Sequence, residues 1–224
     1  MSRDERPVVA VVGMTREAKI LAGGLVIIGG GDAATLASKL EAELRQGVAG
    51  VVSFGLCGAL DPALTLGDLV VGETVGDDED DFEADADWAS RVVVALPSAK
   101  VGRFARAEQP VATTADKAAL RSRTGAMAVD MESYVVARLA REYGAPFAIV
   151  RAVSDAAERA LPHAAQVGLG ADGRPALGPV LASLRSNPWQ LGALIRAALE
   201  AEDGFHALER ARQTLGPRLG GPGD

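Results

Sequence analysis

Three acids stand where apolar runs of this chain give way to other patterns. Glu17 follows the β-branched run Val8 to Val12, Glu132 follows Ala128-Val129-Asp130-Met131, and Asp155 closes the run that begins at Phe147. In open α/β sheets ligands bind at the carboxyl ends of strands. Three carboxylates at three such ends point to one site that handles a polyhydroxylated substrate by acid–base chemistry. Each acid also has an ordinary reading. Ser154-Asp155 is common turn chemistry. Glu132 in the first turn of a helix would favour the helix dipole, with Asp130 as an alternative N-cap. Glu17 could be a solvated helix residue.

Glycines accompany the acids. Gly55-Leu56-Cys57-Gly58 follows the apolar run Val48 to Phe54 and reads as a loop that lets the backbone approach a sugar or an anion closely, or as a plain tight turn. Gly29-Gly30-Gly31 precedes a helical pattern but has Ala34 where a dinucleotide fingerprint expects its last glycine, so that motif is weak. Cys57 has no adjacent base and reads as a small buried hydrophobe.

The elements that must position these residues alternate between strand and helix. Strands are expected at 8–12, 25–28, 48–54, 68–75, 92–96, 102–107 and 147–153. Helical patterns run over 15–21, 33–46 with Asp32 as N-cap, 116–124 and 132–143, where Gly144 and Pro146 stop the last. The acidic stretch Gly76 to Asp87 reads as a solvated loop. Beyond Asp155 come a Gly/Pro-rich loop at 168–179 and helices at 181–185, 188–201 and 205–215. The expected architecture is α/β, a single three-layer domain over residues 1–216 with a mostly parallel or mixed central sheet flanked by helices, and a disordered tail at 217–224.

Composition narrows the function. The 224 residues suffice for one well-buried domain. A formal net charge of -7 with no basic stripe argues against a nucleic-acid partner. One cysteine and two scattered histidines leave no intrachain disulfide and no metal constellation. No bilayer-length apolar run and no signal-like start are seen, so a cytoplasmic protein is expected.

Taken in order, Gly-Met-x-x-Glu at 13–17, Gly-x-Cys-Gly-x-Leu at 55–60 with Gly-Asp-Leu-Val-Val at 67–71, Val-Asp-Met-Glu at 129–132 and Arg-Ala-Val-Ser-Asp at 151–155 resemble the nucleoside phosphorylase and methylthioadenosine/adenosylhomocysteine nucleosidase superfamily. The resemblance covers Val8 to Ala157. Past it, Glu158 to Pro162, Asp172-Gly173-Arg174-Pro175 and the Leu/Arg/Ala-rich end are similar to the hopanoid-associated phosphorylase branch, which implies adenosylhopane as substrate. The resemblance implies that Asp155 protonates or hydrogen-bonds the purine N7 and that Ser154 orients it. It implies that Glu132 binds the ribose hydroxyls, that Met131 packs on the ribose, that Gly55 and Gly58 lie beneath the sugar, and that Glu17 activates water. No metal or organic cofactor is implied. Inorganic phosphate is the co-substrate if the enzyme is a phosphorylase, with Arg16 and Arg151 as its candidate ligands. A homodimer or higher homo-oligomer is expected by the same resemblance.

Two departures matter. Ser53 and Leu56 stand where phosphorylases carry an arginine and a hydroxyl residue, which makes water the easier nucleophile by the residues, while the branch implies phosphate. The expected function is N-ribosidic cleavage that releases adenine from adenosylhopane with phosphate, and the alternative is a methylthioadenosine/adenosylhomocysteine-type nucleosidase using water activated by Glu17. The stretch Ala112 to Lys117 lacks the aromatic that nucleosidases stack on the purine. A non-catalytic nucleoside-binding protein is the rival from another class. Leu161, Leu169, Leu177, Val180, Leu181, Leu184 and Trp189 either form the core face of terminal helices or line a groove for an apolar 5′ group. The groove would bring the protein transiently close to a membrane, with Arg185, Arg196, Arg210 and Arg212 as a flanking face that reads equally well as solvated.

Overall fold

The β-branched run at the start of the chain forms β1 (Val8–Val12), followed by α1 (Thr15–Ile20), β2 (Leu25–Ile28) and α2 (Ala33–Gln46). The computed structural model describes residues 5–223, apart from 78, 169 and 171. Asp32 caps α2 by accepting from the backbone N–H groups of Ala34 and Thr35. Leu36, Leu40 and Leu44, spaced by four, form its buried stripe. The chain continues through β3 (Gly50–Ala59), β4 (Leu69–Gly76), β5 (Asp81–Glu83), α3 (Ala86–Ala95), β6 (Lys100–Arg106), α4 (Thr114–Thr124), β7 (Ala128–Asp130), α5 (Ser133–Glu142) and β8 (Phe147–Asp155). It ends with α6 (His163–Gln166), α7 (Leu177–Ser186), a 3-10 turn at Pro188–Gln190 and α8 (Leu191–Leu215).

The sheet is mixed. β2, β1, β3 and β8 are parallel neighbours, while β4 runs antiparallel to β8 and parallel to β6, and β6 is parallel to β7. Because β7 also pairs antiparallel with β3 at Gly58 and Ala59, the pairings β3–β8–β4–β6–β7–β3 close on themselves. Strands β3 and β8 therefore lie at the heart of the fold, and their side chains are almost all buried. Helices α2 and α5 pack over one face through Leu36, Leu40, Val136 and Leu139. Helices α3 and α8 cover the other through Trp88, Val92, Phe205, Leu208 and Ala211. The layered α/β architecture expected from the alternating pattern is what forms.

Several local expectations are corrected. Residues 92–95 belong to helix α3, not to a strand: Asp85 caps it through Trp88 N, and Trp88 and Val92, one turn apart, face the core while Val94 is exposed. Packing has overruled the β preference of three consecutive valines. The acidic stretch 76–87 is not simply a loop, since it holds β5 and the start of α3. Its acids serve basic partners on β6: Asp81 meets Arg103, and Asp77 meets Arg106 at 2.9 Å. Gly55 to Ala59 extend strand β3 rather than forming a loop. Residues 191–215 are one helix, in which Gly204 does not break the chain. A Cβ there would lie 2.6 Å from Leu56 Cδ2, so the glycine lets α8 sit against β3 and β8. The segment after Gly216, expected to be disordered, packs back onto the body: Leu219 is buried and its carbonyl accepts the Trp88 indole N–H at 2.9 Å.

Candidate active site

Four charged side chains share one buried cluster where β1, β3, β7 and β8 meet. Arg151, on β8, is opposite Gly55 on β3 and is almost wholly buried. Its Nη1 donates to Leu56 O at 3.1 Å, and its Nη2 donates to Ser53 Oγ at 2.6 Å and to Glu132 Oε2 at 3.0 Å. Its Nε lies 3.0 Å from Asp130 Oδ2, an ion pair by distance without an aligned hydrogen bond. Burial opposes the guanidinium charge, but Asp130, Glu132 and Glu17 together push its pKa above the ordinary arginine range. Ser133 Oγ, 2.8 Å from Ser53 Oγ, also bonds Asp130 and joins the two sides of the cluster.

Glu17 is held by two backbone donors. It sits at the third position of α1, where its Oε2 accepts from Met14 N at 2.7 Å, while Oε1 accepts from Leu56 N at 2.7 Å. It is buried, so desolvation raises its pKa against the lowering effect of Arg151 and of these backbone donors. Glu132 stands at the N-cap of α5. Burial pushes its carboxyl up to about 7, Arg151 opposes the rise, and Asp130 and Glu17 add to it. One guanidinium thus faces three carboxylates, a charge balance that favours keeping a proton among them near neutral pH.

Asp155, the last residue of β8, lies farther along the same strand pair, opposite Gly58 of β3. Lys117, on α4, donates to its Oδ2 and also to the carbonyls of Ala156 at 2.8 Å and Arg159 at 3.1 Å. The lysine side chain is 1% exposed and that of Asp155 14%, so the aspartate keeps one edge open. Ser154 Oγ is within 3.1 Å of Asp155 Oδ1 and 3.2 Å of Cys57 O, which places the serine as a prop for the acid. Cys57 is buried, and desolvation pushes its thiol well up, so it is a packing residue.

The glycines make room for the acids. A Cβ on Gly55 would lie 2.6 Å from Glu17 Oε1 and 2.9 Å from Arg151 Nη1. A Cβ on Gly58 would lie 3.1 Å from Asp155 Oδ2, and one on Gly13 would lie 3.0 Å from Glu132 Oε1. Glycine at these positions removes a clash with a charged side chain, which is why acids and glycines recur together in the sequence.

A cavity of about 530 Å³ opens beside Glu132 and Met131, walled by Gly29 to Ala34, Arg106, Tyr134 and Arg138. It reaches the Glu132 side of the cluster and does not include Asp155. Arg16 turns away from the site: it pairs with Glu202 on α8 and lies over the Phe205 ring at 3.8 Å. As a phosphate ligand it is therefore corrected. Arg151 is inside the site, but its donors face Asp130, Glu132, Ser53 and Leu56. Leu169 lies outside the described residues, and among these no cluster of His, Cys, Asp or Glu is arranged to hold a metal ion.

Lys117, Asp130, Ser53 and Ser133 complete what sequence reasoning missed. Asp130 was legible only as a cap, and it does accept from Glu132 N and Ser133 N at 3.1 and 2.8 Å. A faint signal existed for Lys117, which falls three residues before Leu120 on the buried side of an otherwise polar helix.

The sequence matches the Phosphorylase superfamily over residues 3–172. The chain belongs to that superfamily. Among curated proteins no sequence matches it. Solved structures resemble it over nearly all its length. A 5′-methylthioadenosine/S-adenosylhomocysteine nucleosidase from Helicobacter pylori, complexed with a pyrrolopyrimidine pyrrolidinol, superposes with a TM-score of 0.66 at 17% identity, covering 92% of this chain and 95% of that one. The nucleosidase from Streptococcus pneumoniae in complex with 8-aminoadenine gives 0.60 at 15% identity, covering 88% and 99%. That from Colwellia psychrerythraea in complex with adenine gives 0.60 at 18%, covering 93% and 98%. At these identities the likeness is one of fold. Membership of the Phosphorylase superfamily makes the protein a nucleoside-cleaving enzyme.

Proposed function

We propose that this phosphorylase-superfamily member cleaves the N-ribosidic bond of an adenine nucleoside with water as the nucleophile. The observation that carries the reading is the placement of the acids along β3. Glu17 stands at Gly55, where Arg151 joins it to Glu132, and Asp155 stands at Gly58, three residues or about 10 Å farther on. That span accommodates a ribose at one end and its base at the other. In this reading Glu132 accepts hydrogen bonds from the ribose hydroxyls, and its charge stabilises the positive sugar as the C1′–N9 bond lengthens. The bonding electron pair goes to the purine, and N7 takes a proton through Asp155, whose carboxylate draws it from the paired Lys117 ammonium. Glu17 takes a proton from the water whose oxygen bonds to C1′. Ser154 and Lys117 hold Asp155 in place, and Met131 packs against the sugar.

The charge balance favours water over the phosphate implied by the branch resemblance. A phosphate dianion beside Glu17 and Glu132 needs a cation to spare, and Arg151 already faces three carboxylates while Arg16 is paired with Glu202. For the 5′ substituent, the apolar stretch between 177 and 199 supports a lipid-like group such as the hopanoid of adenosylhopane. The bound adenine and 8-aminoadenine of the structural relatives support adenine as the leaving base.

The test is adenine release from adenosylhopane or a soluble 5′-alkyl adenosine, with and without phosphate, with the sugar product weighed by mass spectrometry. Free sugar in both conditions is expected. Sugar 1-phosphate formed only with phosphate would overturn the hydrolytic reading, and no adenine in either condition would overturn adenine-nucleoside cleavage.

A further inference from the structure

The helical hairpin made by α7, the 3-10 turn and the first half of α8 presents an unpartnered apolar face, and we propose that it docks on an anionic lipid surface. Among the described residues eight large apolar side chains are exposed, and six of them fall between 177 and 199: Leu177, Leu181, Trp189, Leu191, Ile195 and Leu199. Their spacing is helical. Leu177 and Leu181 are one turn apart on α7, and Leu191, Ile195 and Leu199 form a stripe at intervals of four on α8. Trp189, at the tip between the helices, is 94% exposed. Soluble surfaces seldom gather apolar side chains so densely.

Charge identifies the occupant. No Asp or Glu stands between 173 and 199, yet the stretch carries Arg174, Arg185 and Arg196 in a chain of formal net charge -7. Arg185 and Arg196 make no ion pair among the described residues. An apolar stripe flanked by arginines, with an aromatic at its tip, has the chemistry of an interfacial helix seated among anionic headgroups. Anionic lipid offers both an apolar interior for the leucines and negative charge for the arginines. A second copy of the same face is disfavoured, because a two-fold contact would set its arginines against each other.

The hairpin is anchored at the candidate site. Gly173, just before α7, uses its carbonyl to accept from Thr15 N at 2.9 Å and Thr15 Oγ1 at 3.2 Å, two residues from Glu17. A Cβ on Gly173 would lie 2.9 Å from Gly13 O, so the chain is pressed onto the turn after β1. Docking would bring the edge of the site to the lipid surface. Only this last consequence rests on the proposed function, since the docking itself stands on the hairpin.

The whole protein is mixed with vesicles of phosphatidylcholine with and without phosphatidylglycerol, and co-sedimentation is measured at low and high salt. Binding to the anionic vesicles at low salt, weakened by salt, is expected. It should fall at least about tenfold in R185E/R196E and in Ile195→Ser, as expected when a hairpin's charges or apolar contacts drive interfacial binding. The chain has two tryptophans, and Trp88 is buried, so a blue shift of emission on binding must come from Trp189 and should vanish in Trp189→Phe. Adenine release from a soluble nucleoside without an apolar 5′ group should be unchanged in R185E/R196E, which separates failure of docking from failure of the functional reading. No co-sedimentation, binding indifferent to the hairpin variants, or a dimer in sedimentation analysis that Ile195→Ser dissociates while vesicles are ignored would each overturn the proposal.

Discussion

Replacing Glu132 with glutamine should stabilise the protein at alkaline pH while disabling it. Burial raises the Glu132 carboxyl from 4.5 to about 7. The folded protein therefore keeps a proton at Glu132 that the unfolded chain has already released. Between about pH 4.5 and about pH 7 the native state binds more protons, so this group's contribution to stability falls as pH rises. Above that window the full penalty of an ionised, buried carboxylate applies, on the order of 3 kcal/mol for a shift of this size. Glutamine has nearly the same shape and no charge. The variant should match the parent near pH 4 and exceed it by up to about 3 kcal/mol at about pH 8. In a chain of this size that is a rise of roughly 6–12 °C in Tm. Urea unfolding across the pH range measures the difference. Equal pH profiles for the two proteins would refute the argument that Glu132 is buried at a cost. In the same variant adenine release should fall sharply if Glu132 binds the ribose as proposed. In the parent, activity should rise with pH through about 7 as Glu132 ionises.

Other perturbations probe the remaining parts. Asp155→Asn should lower kcat for adenine release by about 10²- to 10⁴-fold, the usual worth of a general acid, while calorimetric binding of adenine persists. Unchanged turnover would remove Asp155 from the chemistry. Lys117→Met leaves Asp155 without its cation and two carbonyls without a donor. It should cost about 3 kcal/mol in denaturant unfolding, the low end for a broken buried pair because Asp155 keeps an open edge. Gly55→Ala drives a methyl into Glu17 and Arg151, and a loss of about 1–3 kcal/mol with collapse of activity is expected. A fully active, equally stable Ala variant would show that the cluster has slack. Ending the chain at Gly216 removes Leu219 and leaves the buried Trp88 N–H unpaired. Scanning calorimetry should register a loss of about 3–5 kcal/mol, the sum of an orphaned donor and a lost apolar contact.

Much of the site was legible as a set of residues and little of it as an arrangement. Glu17, Glu132 and Asp155 stood out because each follows an apolar run, and those runs become β1, β7 and β8. The glycines stood out too, but as loops. Their service as space for charged side chains appears only when Glu17 from α1 and Arg151 from β8 converge on β3. Arg16 and Arg151, two cations with equal claims on phosphate in the sequence, are separated by the fold: one reaches outward to Glu202, the other is enclosed by acids.

Residue order by itself determined the alternating α/β layers, because the apolar periods that bury a strand or one side of a helix are local. It determined the family as well, because the acid and glycine motifs keep their order along the chain. Only the tertiary structure decided that three valines in α3 are helical, that the terminal segment locks onto Trp88, and that Lys117 meets Asp155. In each case the deciding contact joins residues far apart in sequence, and burying an indole or an ammonium outweighs the local preferences that a linear reading can weigh.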